Sequence, residues 1–183
     1  TFILRFANLK LLNADALRSN PRFDVLVANL PYSRSEEFVE WLAFRKFRRA
    51  VLMVQTDFVD KLLATSGRKY RAISIISQYV FSIRKEMAVP KSLFRPPPKV
   101  SSSIVIIERT GPQPTEVDLN TIKHLWSFKG RTLRSAIKII SKKKGIAAER
   151  ILNLLPQRLV GLRILDLSPS EAFKVAKAIE KAS

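Results

Sequence analysis

Cysteine is missing from the 183 residues, and histidine occurs once, as His124. The first absence excludes a disulfide scaffold, a thiolate metal site and a cysteine nucleophile. The second excludes any centre that needs two imidazoles. No apolar run approaches the roughly 20 residues that a membrane-crossing helix requires. The opening residues TFILRFANLK lack a leader's order of basic, apolar and small residues, so a cytoplasmic protein is expected. Glycine is scarce: Gly67, Gly111, Gly130, Gly145 and Gly161, with none before residue 67. Acid is scarce too, 15 Asp+Glu against 33 Lys+Arg, a formal net charge of +18. The excess favours a polyanionic partner, and nucleic acid is the commonest. Asp24 and Asp57 do not stand at metal-ligand spacing, so no metal is expected.

What is present divides near Thr110. Before it, strands and helices alternate. Leu9 to Asn13 is a short apolar run ending at Ala14-Asp15. Asp24 to Ala28 reads as a buried strand ending at Asn29, and Ala50 to Val54 as another. Ser35 is a candidate cap for a helix carrying Phe38, Trp41 and Leu42. Thr56 or Asp57 is the candidate cap for one carrying Val59, Leu62 and Leu63. Tyr70 to Gln78 predicts a further helix, and Tyr79 to Val89 and Ser101 to Glu108 predict late strands. This order implies an α/β layer with a largely parallel sheet. Thr110 to Glu116 (TGPQPTE) reads as a linker. Beyond it the periodicity is helical, with Leu119, Ile122, Leu125 and Trp126 on one face and Leu133, Ile137 and Ile140 on another. Ser168-Pro169-Ser170-Glu171 is a capping box opening a last helix. Two domains are expected, 1–110 and 111–183. They hold 19 basic and 9 acidic, then 14 basic and 6 acidic residues. Between Asp118 and Glu149 stand eight cations and no acid, among them Lys129, Arg131, Arg134 and Lys138. The last three predict one stripe beside Leu133 and Ile137; a merely solvated helix face is the alternative.

Asn29-Leu30-Pro31-Tyr32 follows the first buried strand directly, where open α/β sheets place their sites. An Asn amide oxygen and a carbonyl held by proline are two acceptors that can grip an exocyclic amine and aim its lone pair. Tyr32 offers a face for a base. The alternative is a plain turn closing a strand. Phe94 stands before Pro96-Pro97-Pro98, a stiff extended segment that can hold it outside the core, with Arg95 and Lys99 beside it. For Phe94 the alternative is a core anchor of that loop.

These motifs, in this order, resemble the small-subunit ribosomal RNA adenine dimethyltransferases, relatives of the erythromycin-resistance rRNA methyltransferases. The resemblance also takes in Asn13-Ala14-Asp15-Ala16-Leu17, Met53-Val54-Gln55, Tyr70 to Ser74, Gln78-Tyr79, Val89-Pro90, Phe94 with Pro96 to Val100, and Lys129 to Arg134. It implies a partial Rossmann-like S-adenosylmethionine methyltransferase domain and then a small all-helical RNA-binding domain. Asn29, Pro31, Tyr32 and Phe94 would be catalytic. Asp15, Ala16, Asn29 and Leu30 would hold the cofactor, with Asp15 on its adenine amine. Lys99, Lys129, Arg131, Arg134 and Lys138 would meet RNA. Implied partners are small-subunit rRNA or an immature small subunit, and the complete protein would be a monomer. The family's glycine-rich turn and its following acid have no counterpart here. The resemblance therefore places Leu9–Asn13 at the family's third strand, without its neighbouring strands, and weak cofactor binding is expected. Two other readings follow from the same residues: a non-catalytic rRNA-binding assembly factor, and a DNA adenine methyltransferase.

Overall fold

A computed structural model describes residues 8–183; the first residues of the leader reading, 1–7, lie outside the described residues. Four strands form one sheet in the order β1 (Val25–Asn29), β2 (Arg49–Gln55), β4 (Ser102–Arg109), β3 (Phe81–Val89). The sheet is mixed, which corrects the largely parallel expectation. Only β1 and β2 pair in parallel, because β4 runs opposite to the other three strands and pairs antiparallel with both β2 and β3. The reason lies in the connection between β3 and β4. It contains one short 3₁₀ turn, Lys91–Leu93, and no crossover helix. A chain that turns back without a crossover can only pair antiparallel.

Alternation fixes the faces. Ala50, Leu52 and Val54 of β2 and Val105 and Ile107 of β4 are buried together. Against them pack residues of α1 (Ser35–Ala43), α2 (Thr56–Leu63) and α3 (Ala72–Val80), including Val39, Leu42, Val59, Leu62 and Ile73. Val27, on the other face of β1, is 76% exposed. Leu9–Asn13 forms no strand, and Leu11 and Leu12 stand in solvent. Among the described residues β1 pairs with β2 alone, so its outer edge offers unpaired backbone groups.

The helical part comprises α4 (Glu116–Trp126), α5 (Leu133–Lys144), two short helices α6 (Ala148–Leu152) and α7 (Gln157–Val160), and α8 (Pro169–Ala182). Leu119, Ile122, Leu133, Ile137, Ile140, Phe173 and Ile179 make a second core. Helix α3 belongs to both cores. Ile73 and Val80 enter the first, Ile75 and Ile76 the second, and the Tyr79 ring stacks on Phe173 with centroids 3.7 Å apart. The segment read as a linker is pinned. The Thr110 and Gly111 amides both donate to the Val80 carbonyl, at 3.1 and 2.9 Å. A Cβ on Gly111 would lie 1.9 Å from the Tyr79 carbonyl oxygen, so only glycine allows this approach.

Caps differ from expectation at two helices. Ser35 and Thr56 are first helical residues, and the residues before them, Arg34 and Gln55, make no side-chain cap. Ser168 does cap α8 and pairs reciprocally with Glu171. Thr115 with Asp118 forms a second such box on α4, and Thr132 caps α5.

Candidate active site

Asn29 is the last residue of β1, paired in register with Met53. The Leu30 amide donates to the Met53 carbonyl at 3.3 Å, so the turn leaves the sheet only after Leu30. Leu30 is buried; Asn29 and Pro31 are exposed, and the Asn29 amide has no partner among the described residues. The Pro31 carbonyl accepts the Arg34 amide at 3.0 Å, closing a 3₁₀ turn over Tyr32–Arg34 and leaving one lone pair. The Leu30 carbonyl accepts nothing among the described residues. The turn therefore presents one free amide side chain and two carbonyls with acceptor capacity.

Residues 29–31 form a wall between two recesses. The first, about 400 Å³, is lined by Asn29, Leu30, Pro31, Tyr32 and Phe94. The second, also about 400 Å³, adds Ala14, Asp15, Ala16, Leu17, Ala28, Arg34 and Phe38 to Asn29, Leu30 and Pro31. The residues expected to be catalytic thus meet in one recess and those expected to hold a cofactor in the other. Tyr32 is anchored from across the sheet: its hydroxyl and Ser102 Oγ, at the start of β4, share a hydrogen bond of 2.6 Å. Thr56 repeats the device, with its Oγ1 2.8 Å from Ser103 Oγ and its amide on the Ser101 carbonyl. Phe94 is half-buried after the 3₁₀ turn and precedes a cis Arg95–Pro96 peptide.

Asp15 and Arg34 carry the opposite charges of the second recess. The Asp15 carboxylate accepts the Leu17 amide at 2.9 Å and the Arg34 guanidinium at 3.2 Å. Leu17's amide and then Arg34 hold the Asp15 carboxyl below the usual carboxylate range. Arg34 also grips Glu37 with two bonds of 2.8 Å, which lowers the Glu37 carboxyl and raises the guanidinium. Arg34 and Ser102 are site residues that the motif reading missed. The run Ser101-Ser102-Ser103 ahead of an apolar strand was the available signal, since a hydroxyl on the buried face of a strand needs a partner.

The expected RNA residues are placed elsewhere. Lys99 is exposed on the β3–β4 connection and lines neither recess. Arg131 precedes α5 and its cap Thr132, so it does not continue the helical stripe; Arg134 and Lys138 do. Lys129 lines a separate recess. A second basic cluster in the sequence, Arg45, Lys46, Arg48 and Arg49, is mostly occupied. Arg45 covers the Trp41 ring at 4.6 Å, while Arg48 and Arg49 pair with Asp24 and Glu108. A recess of about 620 Å³ lies there, at the amino ends of β1 and β2, and holds no expected site residue. His124 is exposed, with its ring 5.5 Å from that of Phe128. Among the described residues no three His, Asp or Glu gather, and no helix is long and apolar enough to cross a membrane.

Comparison with known proteins adds a second line of evidence. Over 181 residues the chain is 34% identical to "Probable ribosomal RNA small subunit methyltransferase A" of Methanosarcina mazei, covering 94% of this chain and 66% of that protein. It is 38% identical to the "Ribosomal RNA small subunit methyltransferase" of Arabidopsis thaliana over 73% of this chain and 40% of that one. The chain thus spans just under two thirds of the length of the archaeal relative. A crystal structure of a dimethyladenosine transferase from Plasmodium falciparum superimposes with a TM-score of 0.81 at 25% identity, covering 99% of this chain and 76% of that one. The 23S rRNA methyltransferase ErmE shares the fold, with a TM-score of 0.60 at 18% identity, covering 98% of this chain and 75% of that one. The ribosomal RNA adenine dimethylase profile matches residues 6–164, and by that match the chain belongs to this family.

Proposed function

We propose that the chain carries the amine-gripping half of an enzyme that transfers methyl groups from S-adenosylmethionine to N6 of adenines in small-subunit rRNA. The supporting observation is the wall formed by Asn29-Leu30-Pro31, with an aromatic recess on one side and a carboxylate recess on the other. The Asn29 amide oxygen accepts one hydrogen of the adenine amine, and a carbonyl of the Leu30-Pro31 turn accepts the other. Fixing both hydrogens leaves the nitrogen lone pair aimed through the wall. Tyr32 and Phe94 flank the base, which must leave its stack to enter. The residues lining this recess include no carboxylate, histidine or lysine, which suits an amine that loses its proton only after the new bond forms.

The second recess suits the nucleoside end of the cofactor. Asp15 is ionised and keeps acceptor capacity for an adenine amine, Ala16 follows it in the turn, and Leu30 and Phe38 give apolar walls. When bound, S-adenosylmethionine supplies an electrophilic methyl carbon. Residues 111–183, with Lys129, Arg131, Arg134 and Lys138, and Lys99 on the β3–β4 connection, act as the RNA-binding surface through phosphate contacts. The protein works in the cytoplasm as a monomer on immature small subunits.

The test is transfer of labelled methyl to immature small subunits and to naked duplex DNA, followed by nucleoside analysis. The expected product is N6,N6-dimethyladenosine in small-subunit rRNA. Label in duplex DNA instead would make this a DNA enzyme. RNA bound without transfer or cofactor binding would make it a non-catalytic assembly factor.

A further inference from the structure

A third recess, about 420 Å³, lies where the loop between α2 and α3 meets the helical part. It is lined by Gly67, Arg68, Tyr70, Arg71, Trp126, Lys129 and Leu165, none shared with the two recesses above. Its frame is fixed. Gly67 adopts φ +73°, a left-handed turn residue, and the Tyr70 amide bonds back to its carbonyl at 3.2 Å. Tyr70 is buried and donates its hydroxyl to the Leu167 carbonyl at 2.9 Å. The Leu165 amide donates to the Lys129 carbonyl at 3.1 Å, tying the turn before α5 to the segment before α8. The Tyr70 and Trp126 rings meet edge to face, with centroids 5.3 Å apart.

Charge distinguishes this recess from its surroundings. Lys69, in the same loop, is paired with both Asp57 and Asp60. Arg68, Arg71 and Lys129 are exposed and have no carboxylate within ion-pair distance among the described residues. No acid lines the recess. The Trp126 indole N–H is buried without an acceptor, and a buried unpaired donor carries a cost. Three unpaired cations over an aromatic wall with a surplus donor suit an oxyanion attached to a flat ring system.

We propose that this recess is a second, non-catalytic nucleotide subsite. A phosphate of the RNA backbone sits among Arg68, Arg71 and Lys129, and its neighbouring base rests against Trp126. The inference rests on the RNA-binding reading but assigns a place that reading does not require.

The experiment measures RNA affinity of the full chain by fluorescence anisotropy over a range of salt. It compares R68Q/R71Q/K129Q with a control of equal charge loss, R48Q/R49Q/R84Q. Trp126 fluorescence is followed in parallel. The expected result is an affinity loss of tenfold or more in the first variant, a shallower salt slope, and loss of an RNA-induced change in Trp126 emission, with the control close to the parent. Equal losses in both variants, or an emission change that survives in the first, would overturn the subsite while leaving RNA binding itself intact. No RNA binding by the parent chain would overturn the functional reading as well. A titration with pyrophosphate separates the sources: emission that responds to pyrophosphate and not to RNA contradicts a polynucleotide ligand.

Discussion

The sheet region and the helical region carry similar charge excesses, +10 over residues 1–110 and +8 over 111–183, and use them differently. In the sheet region many cations are bound to the fold, with Arg68 and Arg71 among the exceptions. Arg34 bridges Asp15 and Glu37, Arg48 holds Asp24, Arg49 holds Glu108, and Lys61 and Lys69 hold Asp57. Arg109 donates to the Ala43 and Arg45 carbonyls and so closes the end of α1. In the helical region the acids serve helix starts. Asp118 caps the Thr115 amide and Glu171 the Ser168 amide. Few acids are left to pair, and only Arg158–Glu171 is an ion pair wholly within this region among the described residues. Similar net charge therefore says little about which surface meets a polyanion. The placement of the acids decides it.

The strongest way to break this comparison is to uncouple the regions. Phe173 is 1% exposed and stacks on Tyr79 of the shared helix α3. Phe173→Ala should cost about 3–5 kcal/mol in denaturant unfolding, as one shifted transition. Two separate transitions would mean that α3 does not join the cores. Next in size, R131Q/R134Q/K138Q should weaken RNA binding by about tenfold and reduce the log–log salt slope by about two. An unchanged slope would return these cations to a solvated face. The smallest effects separate cap from ion pair. Ser168→Ala should lower thermal stability by about 1 kcal/mol, because it removes an N-cap. Arg48→Gln, at an exposed pair, should cost less than about 1 kcal/mol. A larger loss at Arg48 than at Ser168 would reverse that ranking.

Much of this was legible in the sequence. The unbroken apolar runs in DVLVA and AVLMV located β1 and β2 to within a residue or two, and Asn29 falls at the strand end as expected. But β1 is not the buried strand its composition implied: as an edge strand it leaves Val25 and Val27 exposed. The Ser168 box was legible because both partners are local. Sheet direction was not, because it depends on how the β3–β4 connection returns, and strand periodicity is the same in either direction. Leu9–Asn13 has the composition of a strand, but a strand needs a partner to satisfy its backbone. Tyr32's anchor on Ser102 spans 70 residues, and Arg34's hold on Asp15 spans 19; spacing rules do not reach such pairs. The linker reading of TGPQPTE missed the donation of two amides to one carbonyl of α3.

The central claim is that Asn29 grips the reacting amine and does little else. Asn29→Ala, assayed for methyl transfer to small-subunit rRNA and for RNA affinity on the same preparation, tests it directly. Transfer should fall on the order of a hundredfold or more while RNA affinity stays within about twofold of the parent. Transfer that survives, or RNA binding that falls in step with it, would contradict the account.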